Sequence, residues 1–207
     1  MDFSLTALVA FTIASLAVEL TPGPNMVYLA ILTLSEGRRA GFAAVAGVAL
    51  GLLIIGMVAA TGLSALVIDV PAIYQILRWG GVAYLLWLAW DGWHGAGSPL
   101  GETVIANSHA RYFTRGLITN ILNPKAGIFY VAVLPGFVDP SRDIITQTFF
   151  LTIFFVLVAT ATHVMIVTLA GTALPLLQDE RRRMVIRRTL SLTLAGVAVW
   201  LAWSTRL

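Results

Sequence analysis

The chain has no cysteine, a single lysine and little charge of either sign: Asp, Glu, Lys and Arg together make up 11% of its 207 residues. Without cysteine there are no disulfides and no thiolate metal sites. A water-soluble domain carries about 25% charged residues, and less than half of that cannot cover a surface facing water. The surface must face lipid instead, in keeping with 58% apolar residues and a mean hydropathy of +0.88. The net charge of +3 is no nucleic-acid signal, because most arginines sit in short loops beside apolar spans, where they orient a membrane protein. The start Met1-Asp2-Phe3-Ser4 lacks the basic region of a signal peptide, so the first apolar run is expected to persist as a span. The six Trp and five Tyr suit anchoring at the membrane interfaces.

A helix needs about 20 apolar residues to cross the hydrocarbon core. Six stretches qualify: about Leu5 to Leu34, Gly41 to Leu63, Ala72 to Trp90, Gly116 to Val138, Ile145 to Leu174 and Leu190 to Trp203. Arg38 and Arg39, Arg111 and Arg115, and Arg181, Arg182, Arg183, Arg187 and Arg188 fall in alternate loops. The opposite side carries Arg142, Arg206 and Arg78 beside Asp2, Asp69, Asp139 and Asp143. The positive-inside rule puts the arginine-rich loops in the cytoplasm, with both termini outside. A first segment that fails to cross would give five spans and a cytoplasmic N-terminus. The connection Asp91 to Arg115, rich in glycine with Pro99, reads as a flexible linker. The chain is thus one all-α membrane domain: repeat one over about 1–91, a linker over about 92–114 and repeat two over about 115–207. Three spans per half is an odd number, so the second half enters from the opposite side, as in an inverted repeat.

Two polar, proline-bearing breaks occupy matching places. Thr21-Pro22-Gly23-Pro24-Asn25 interrupts the first span, and Asn123-Pro124-Lys125 interrupts the fourth. Proline has no N–H and clashes with the carbonyl four residues back. Unwound backbone at membrane depth is tolerated only inside protein or beside a watery cavity. Paired broken helices in two halves therefore point to a transporter's binding site. The helix N-termini that follow Asn25 and Pro124 offer amides and a positive dipole end to an anion, and a substrate carboxylate suits them.

Lys125 lies within the fourth span, where an ammonium costs roughly 2.5–3.5 kcal/mol at the bilayer centre and needs a partner or a role. It is expected to hold a substrate carboxylate or to pair with Glu19, just before the other break. Glu19 is also the candidate for ion coupling, since a carboxyl in low dielectric can take up a proton near neutral pH. Asn25, Asn120 and Asn123 can bond freed backbone or substrate. The substrate-binding set is therefore Pro22, Gly23, Pro24, Asn25, Asn120, Asn123, Pro124 and Lys125. His163, with Thr160 and Thr162 beside it in the fifth span, reads first as a hydrogen-bonding group of the bundle. Gly37 and Gly41, and Gly47 and Gly51, are pairs of small residues at spacings of four, which let helices approach closely. They are expected to pack within the protomer, with a homodimer face as the secondary reading.

These residues resemble a known family. Pro22-Gly23-Pro24-Asn25, followed by Gly37-Arg38-Arg39-Ala40-Gly41 and Gly47, is similar to the N-terminal signature of the LysE/RhtB amino-acid exporters. Gly116-Leu117-Ile118-Thr119-Asn120, leading into Asn123-Pro124-Lys125-Ala126, resembles the second signature. The resemblance implies a bacterial inner-membrane exporter of amino acids or close derivatives, driven by the proton motive force, with no enzyme activity and no bound cofactor; no metal site is expected from the residues. Few carboxylates lie within the spans to balance a basic side chain, which favours a neutral substrate of the homoserine, threonine or leucine type. A metal-cation exporter of related fold is the alternative, and a lysine in the break opposes it. Hydrolysis within the membrane would need a nucleophile with its base, or a metal with its ligands, and no such cluster stands out.

Overall fold

A computed structural model describes residues 3–21, 23–61, 71–94, 105–172 and 180–204. Asp2, Pro22, Asp69, Arg206 and the glycine-rich stretch 95–104 lie outside the described residues. The described residues are helical throughout apart from turns and breaks: α1 Leu5–Leu20, α2 Pro24–Glu36, α3 Arg38–Ala60, α4 Pro71–His94, α5 Ile105–Ile121, a short α6 Pro124–Ile128, α7 Ile144–Thr172 and α8 Glu180–Ser204. Beyond α6 the chain winds through a π turn, Phe129–Val133, and a 3-10 turn, Leu134–Phe137.

By length and apolarity, α3 and α7 are each able to cross a membrane unbroken. Two bent pairs pass the same test when each is taken together: α1 with α2 at 59°, and α5 with the segment after Pro124 at 54°, which makes two to four candidate spans among the described residues. Both bends fall at the expected prolines. Pro24 and Pro124 each stand at a helix start, where the missing N–H would have had no helical partner anyway.

Several boundaries differ from the sequence reading. Helix α8 starts at Glu180 rather than near Leu190, so the arginines expected in a loop extend a helix. Arginine is a good helix former, and a search for apolar runs cannot see a polar first turn. Helix α4 runs on to His94 and α5 begins at Ile105, which shortens the expected Asp91–Arg115 linker at both ends.

Packing follows the small residues. A Cβ on Gly47 would lie 2.0 Å from the Phe113 carbonyl oxygen, and one on Gly116 would lie 2.2 Å from that of Ala44. Helices α3 and α5 therefore touch backbone to backbone, running parallel. Gly51 makes room for Asn120, and Gly41 for Thr33 and Val167. The glycine edge of α3 is thus occupied by the chain's own helices. Gly37, at φ +91°, turns the chain between α2 and α3. Helix α3 also packs on α7, and α4 on α8. At the start of α7, the Asp143 carboxylate accepts from the Ile145 amide and the Thr146 hydroxyl. The hydroxyl bond, with the amide bond adding to it, holds that carboxyl below its usual range.

The distribution of polarity is the reverse of a soluble protein. Leu5, Val9, Ile13, Leu16 and Leu20 are exposed along α1, as are Leu157 and Leu169 on α7. Ser15, Glu19, Asn25, Asn120, Thr152 and His163 are buried. Apolar surface on this scale calls for a non-aqueous neighbour.

Candidate functional site

The two breaks converge. Helix α1 ends at Leu20, and Thr21 and Gly23 are extended. The Lys125 ammonium crosses from the other break and donates to the Thr21 carbonyl at 2.6 Å. Gly23 permits the crossing, since a Cβ there would sit 3.2 Å from Lys125 Cδ. A second bridge runs alongside, where Asn25 Nδ2 donates to Asn120 Oδ1 at 2.7 Å. Residues on opposite sides of two breaks, a hundred positions apart, share one site.

A small cleft opens between the breaks. Glu19, Gly23, Asn25 and Met26 line it from around the first break, Asn123, Lys125 and Ala126 from the second, joined by Leu52 of α3 and His163 of α7. Only about 10 Å³ of it is open to the centre of a water-sized sphere, room for about one water molecule. As it stands the cleft has no room for a molecule of amino-acid size.

The helix starts differ in what they offer. Asn123 Oδ1 accepts from the Lys125 amide at 3.1 Å, so an amide expected to be free for an anion at the second break already has a partner. Gly23, at the start of α2, supplies no side-chain cap. The first amides of α2 therefore keep their donors for another acceptor, and both Asn25 and Met26 face the cleft. Of the remaining predicted residues, Pro24 is buried at the start of α2, Pro124 opens α6, and Pro22 lies outside the described residues.

Glu19 and Lys125 line the same cleft but each has a nearer partner than the other. Glu19 is 9% exposed in the last turn of α1, and its Oε2 lies 3.2 Å from His163 Nε2 on α7. The lysine reaches the Thr21 carbonyl instead. Of the two roles expected for Lys125, the direct pair with Glu19 is not formed: Glu19 meets His163 instead. Helix α1 packs against α7, which turns the carboxylate toward the histidine. No motif surrounds His163, so the sequence identified it as a hydrogen-bonding group without a signal for Glu19 as its partner.

The asparagine bridge is incompletely satisfied. Asn25 Oδ1 and Asn120 Nδ2 are buried without partners, leaving one acceptor and one donor available to a guest. Substituting Leu for either asparagine strands the other amide, which costs about 1–3 kcal/mol. Substituting both removes the stranded group. A double-mutant cycle on thermal stability is expected to show each single variant less stable than additivity with the double variant allows. Additive effects would mean that the amides do not interact.

Behind the cleft, Tyr130 donates to the Leu52 carbonyl at 2.9 Å, and Phe129 stacks on Phe155 with centroids 3.7 Å apart. These rings tie the π turn to α3 and α7. Farther along, Asp91 accepts from Arg111 and Arg115 at 3.2 and 2.9 Å, Tyr112 donates to Glu36 at 3.0 Å, and Arg38 donates to the Thr168 carbonyl. Arg38, Arg111 and Arg115, three of the arginines expected on one side of the membrane, therefore lie at one end of the bundle. Among the described residues, no three His, Asp or Glu side chains come together as a metal site would require.

A profile of the LysE type translocators matches residues 16–205, a stretch that takes in both breaks. The chain belongs to the LysE type translocator family. This translocator is 31% identical over 139 residues to a homoserine/homoserine lactone efflux protein of Salmonella typhimurium, covering 67% of this chain and 68% of that one. It is 27% identical over 150 residues to a leucine efflux protein of an Enterobacter species, covering 68% and 67%. It is 32% identical over 136 residues to an uncharacterized membrane protein of Vibrio cholerae, covering 65% and 66%. No solved structure matches. Family and fold together make it a multi-pass protein of the inner membrane, with its exposed apolar side chains against lipid.

Proposed function

We propose that this translocator exports amino acids with neutral side chains, driven by the proton motive force, through six spans arranged as two inverted three-helix halves. The observation that carries the reading is the meeting of the breaks, which brings Lys125 and Glu19 to one cleft. A zwitterion fits such a pair, its carboxylate on Lys125 and the first amides of α2, and its ammonium on Glu19. Met26, Leu52 and Ala126 offer a side chain apolar company and no further counter-charge, which disfavours lysine or arginine as substrate. The relatives named for homoserine and leucine efflux support the same class. A lysine at the site opposes the metal-cation alternative.

The inverted arrangement draws support from the packing. In it, α3 and α7 hold equivalent places in the two halves, as do α4 and α8, and each packs on its counterpart. The bends of 59° and 54° fall in the first span of each half. The arginine-gathering end would face the cytoplasm.

An efflux screen tests the reading. Cells overproducing the protein are loaded with a panel of amino acids as dipeptides, and their release is followed. Faster export of leucine, threonine or homoserine than in cells without the protein is expected. Export confined to lysine and arginine would refute the neutral preference, and restored metal tolerance in a sensitive strain would revive the cation reading.

A further inference from the structure

His163 is an unusual resident of a bundle core. It is 2% exposed, its Nε2 faces Glu19 Oε2 at 3.2 Å, and its Nδ1 has no partner. It lines the same cleft as Lys125. A histidine needed only for packing would have both nitrogens satisfied or be replaced by an apolar ring, because a buried unpaired polar atom costs about 1–3 kcal/mol. We propose that Glu19 and His163 hold one proton between them in the empty transporter, and that the substrate's ammonium displaces this proton from Glu19. Substrate and proton then exclude each other at one carboxylate, as exchange in opposite directions requires. The assignment rests on the amino-acid reading above and adds His163 as a positioning residue that acts through Glu19.

The charges balance. In the empty site the proton lies on the Nε2–Oε2 line, and Lys125 supplies a positive charge on the far side of the cleft. When a zwitterion enters, its ammonium takes the carboxylate, the pair's proton leaves to the cytoplasm, and His163 remains as neutral imidazole. One positive charge replaces another, and no covalent bond to carbon changes. After the substrate leaves on the outer side, a proton from that side restores the pair. Ser15, one turn before Glu19 on the same face of α1, has a buried hydroxyl without a partner and offers a polar step along that route. The other titratable groups facing the pair are Lys125 and Tyr130. The tyrosine hydroxyl is engaged by the Leu52 carbonyl, and the ammonium by the Thr21 carbonyl, which leaves the exchangeable proton to Glu19 and His163.

The test separates coupling from binding. Proteoliposomes loaded with radiolabelled leucine or homoserine report two reactions: exchange with unlabelled substrate outside, which needs no net proton, and efflux stimulated by an opposing proton gradient. Coupling between two ligands is commonly about 5–150-fold, so a stimulation of about tenfold is expected in the wild type. His163→Gln keeps a hydrogen-bond donor for Glu19 but takes up no proton. It is expected to lose the stimulation and the pH dependence of efflux, each measured relative to the variant's own rate of exchange. Lys125→Met is expected to lose both reactions. His163→Gln with full stimulation and an unaltered pH profile would overturn the inference while leaving the amino-acid reading intact. A wild type that moves no amino acid would overturn both. The wild type supplies a check that needs no variant: adding leucine to the purified protein in weakly buffered detergent should release about one proton per leucine bound, as linkage demands. No release would overturn the inference.

Discussion

Cells making the Lys125→Met protein are expected to export no more leucine or homoserine than cells lacking the transporter. Methionine keeps the length and apolar stem of lysine and removes only the charge. Two losses follow. The Thr21 carbonyl loses the donor that reaches it from the other break at 2.6 Å, and, on the proposed reading, a substrate carboxylate loses its counter-ion. A hydrogen bond to a charged group contributes about 1.5–3 kcal/mol, or roughly tenfold to more than a hundredfold in affinity. A carboxylate brought unpaired to membrane depth fares worse still. Arginine is not a safe replacement, because its rigid planar fork must pass over Gly23, where even an added Cβ would sit 3.2 Å from the lysine stem. Transport by the Lys125→Met protein at near wild-type rate, with the protein present in the membrane in normal amount, would remove Lys125 from the site.

Gly47→Leu is expected to yield little or no folded protein, and Gly47→Ala a clearly less stable one. The obstruction is backbone, not a side chain that can turn away: the Phe113 carbonyl oxygen lies 2.0 Å from the new Cβ, and the Leu117 amide nitrogen 2.8 Å. Overpacking of this kind costs about 1–3 kcal/mol for one methyl group, and more for leucine because α3 and α5 must separate along their length. Gly116→Ala should mirror the effect from the other helix, its Cβ 2.2 Å from the Ala44 carbonyl oxygen. Gly127→Ala, with nothing within 4 Å, serves as the control. Thermal melting of detergent-purified variants is the measurement, and an unchanged Tm for Gly47→Ala would contradict the close approach.

Both breaks were legible in the sequence because proline at membrane depth has few physical readings. Lys125 was legible because an isolated charge in an apolar run needs a reason. The glycine pairs foretold close packing but not their partners, since the spacing of small residues marks an edge of a helix without saying which neighbour fills it. His163 was read as a hydrogen-bonding group of the bundle, but its partner stayed hidden for the same cause: it depends on where α1 sets down Glu19, a distance no local pattern encodes. The polar first turns of α8 were missed because they carry no apolar signature, and arginines suit a helix as well as a loop.

The backbone contact between α3 and α5 has a mechanical consequence. Two helices that meet through bare peptide groups have no compliant side chains between them, so they cannot slide or tilt against one another by small rotamer changes. They form a keel spanning both halves of the chain. Any opening of the cleft must then come from what is joined by extended residues: α1, through Thr21 and Gly23 to α2, and α6, through Asn123 to α5. The stiff part and the yielding parts of this transporter are thus set by where its glycines and its prolines fall.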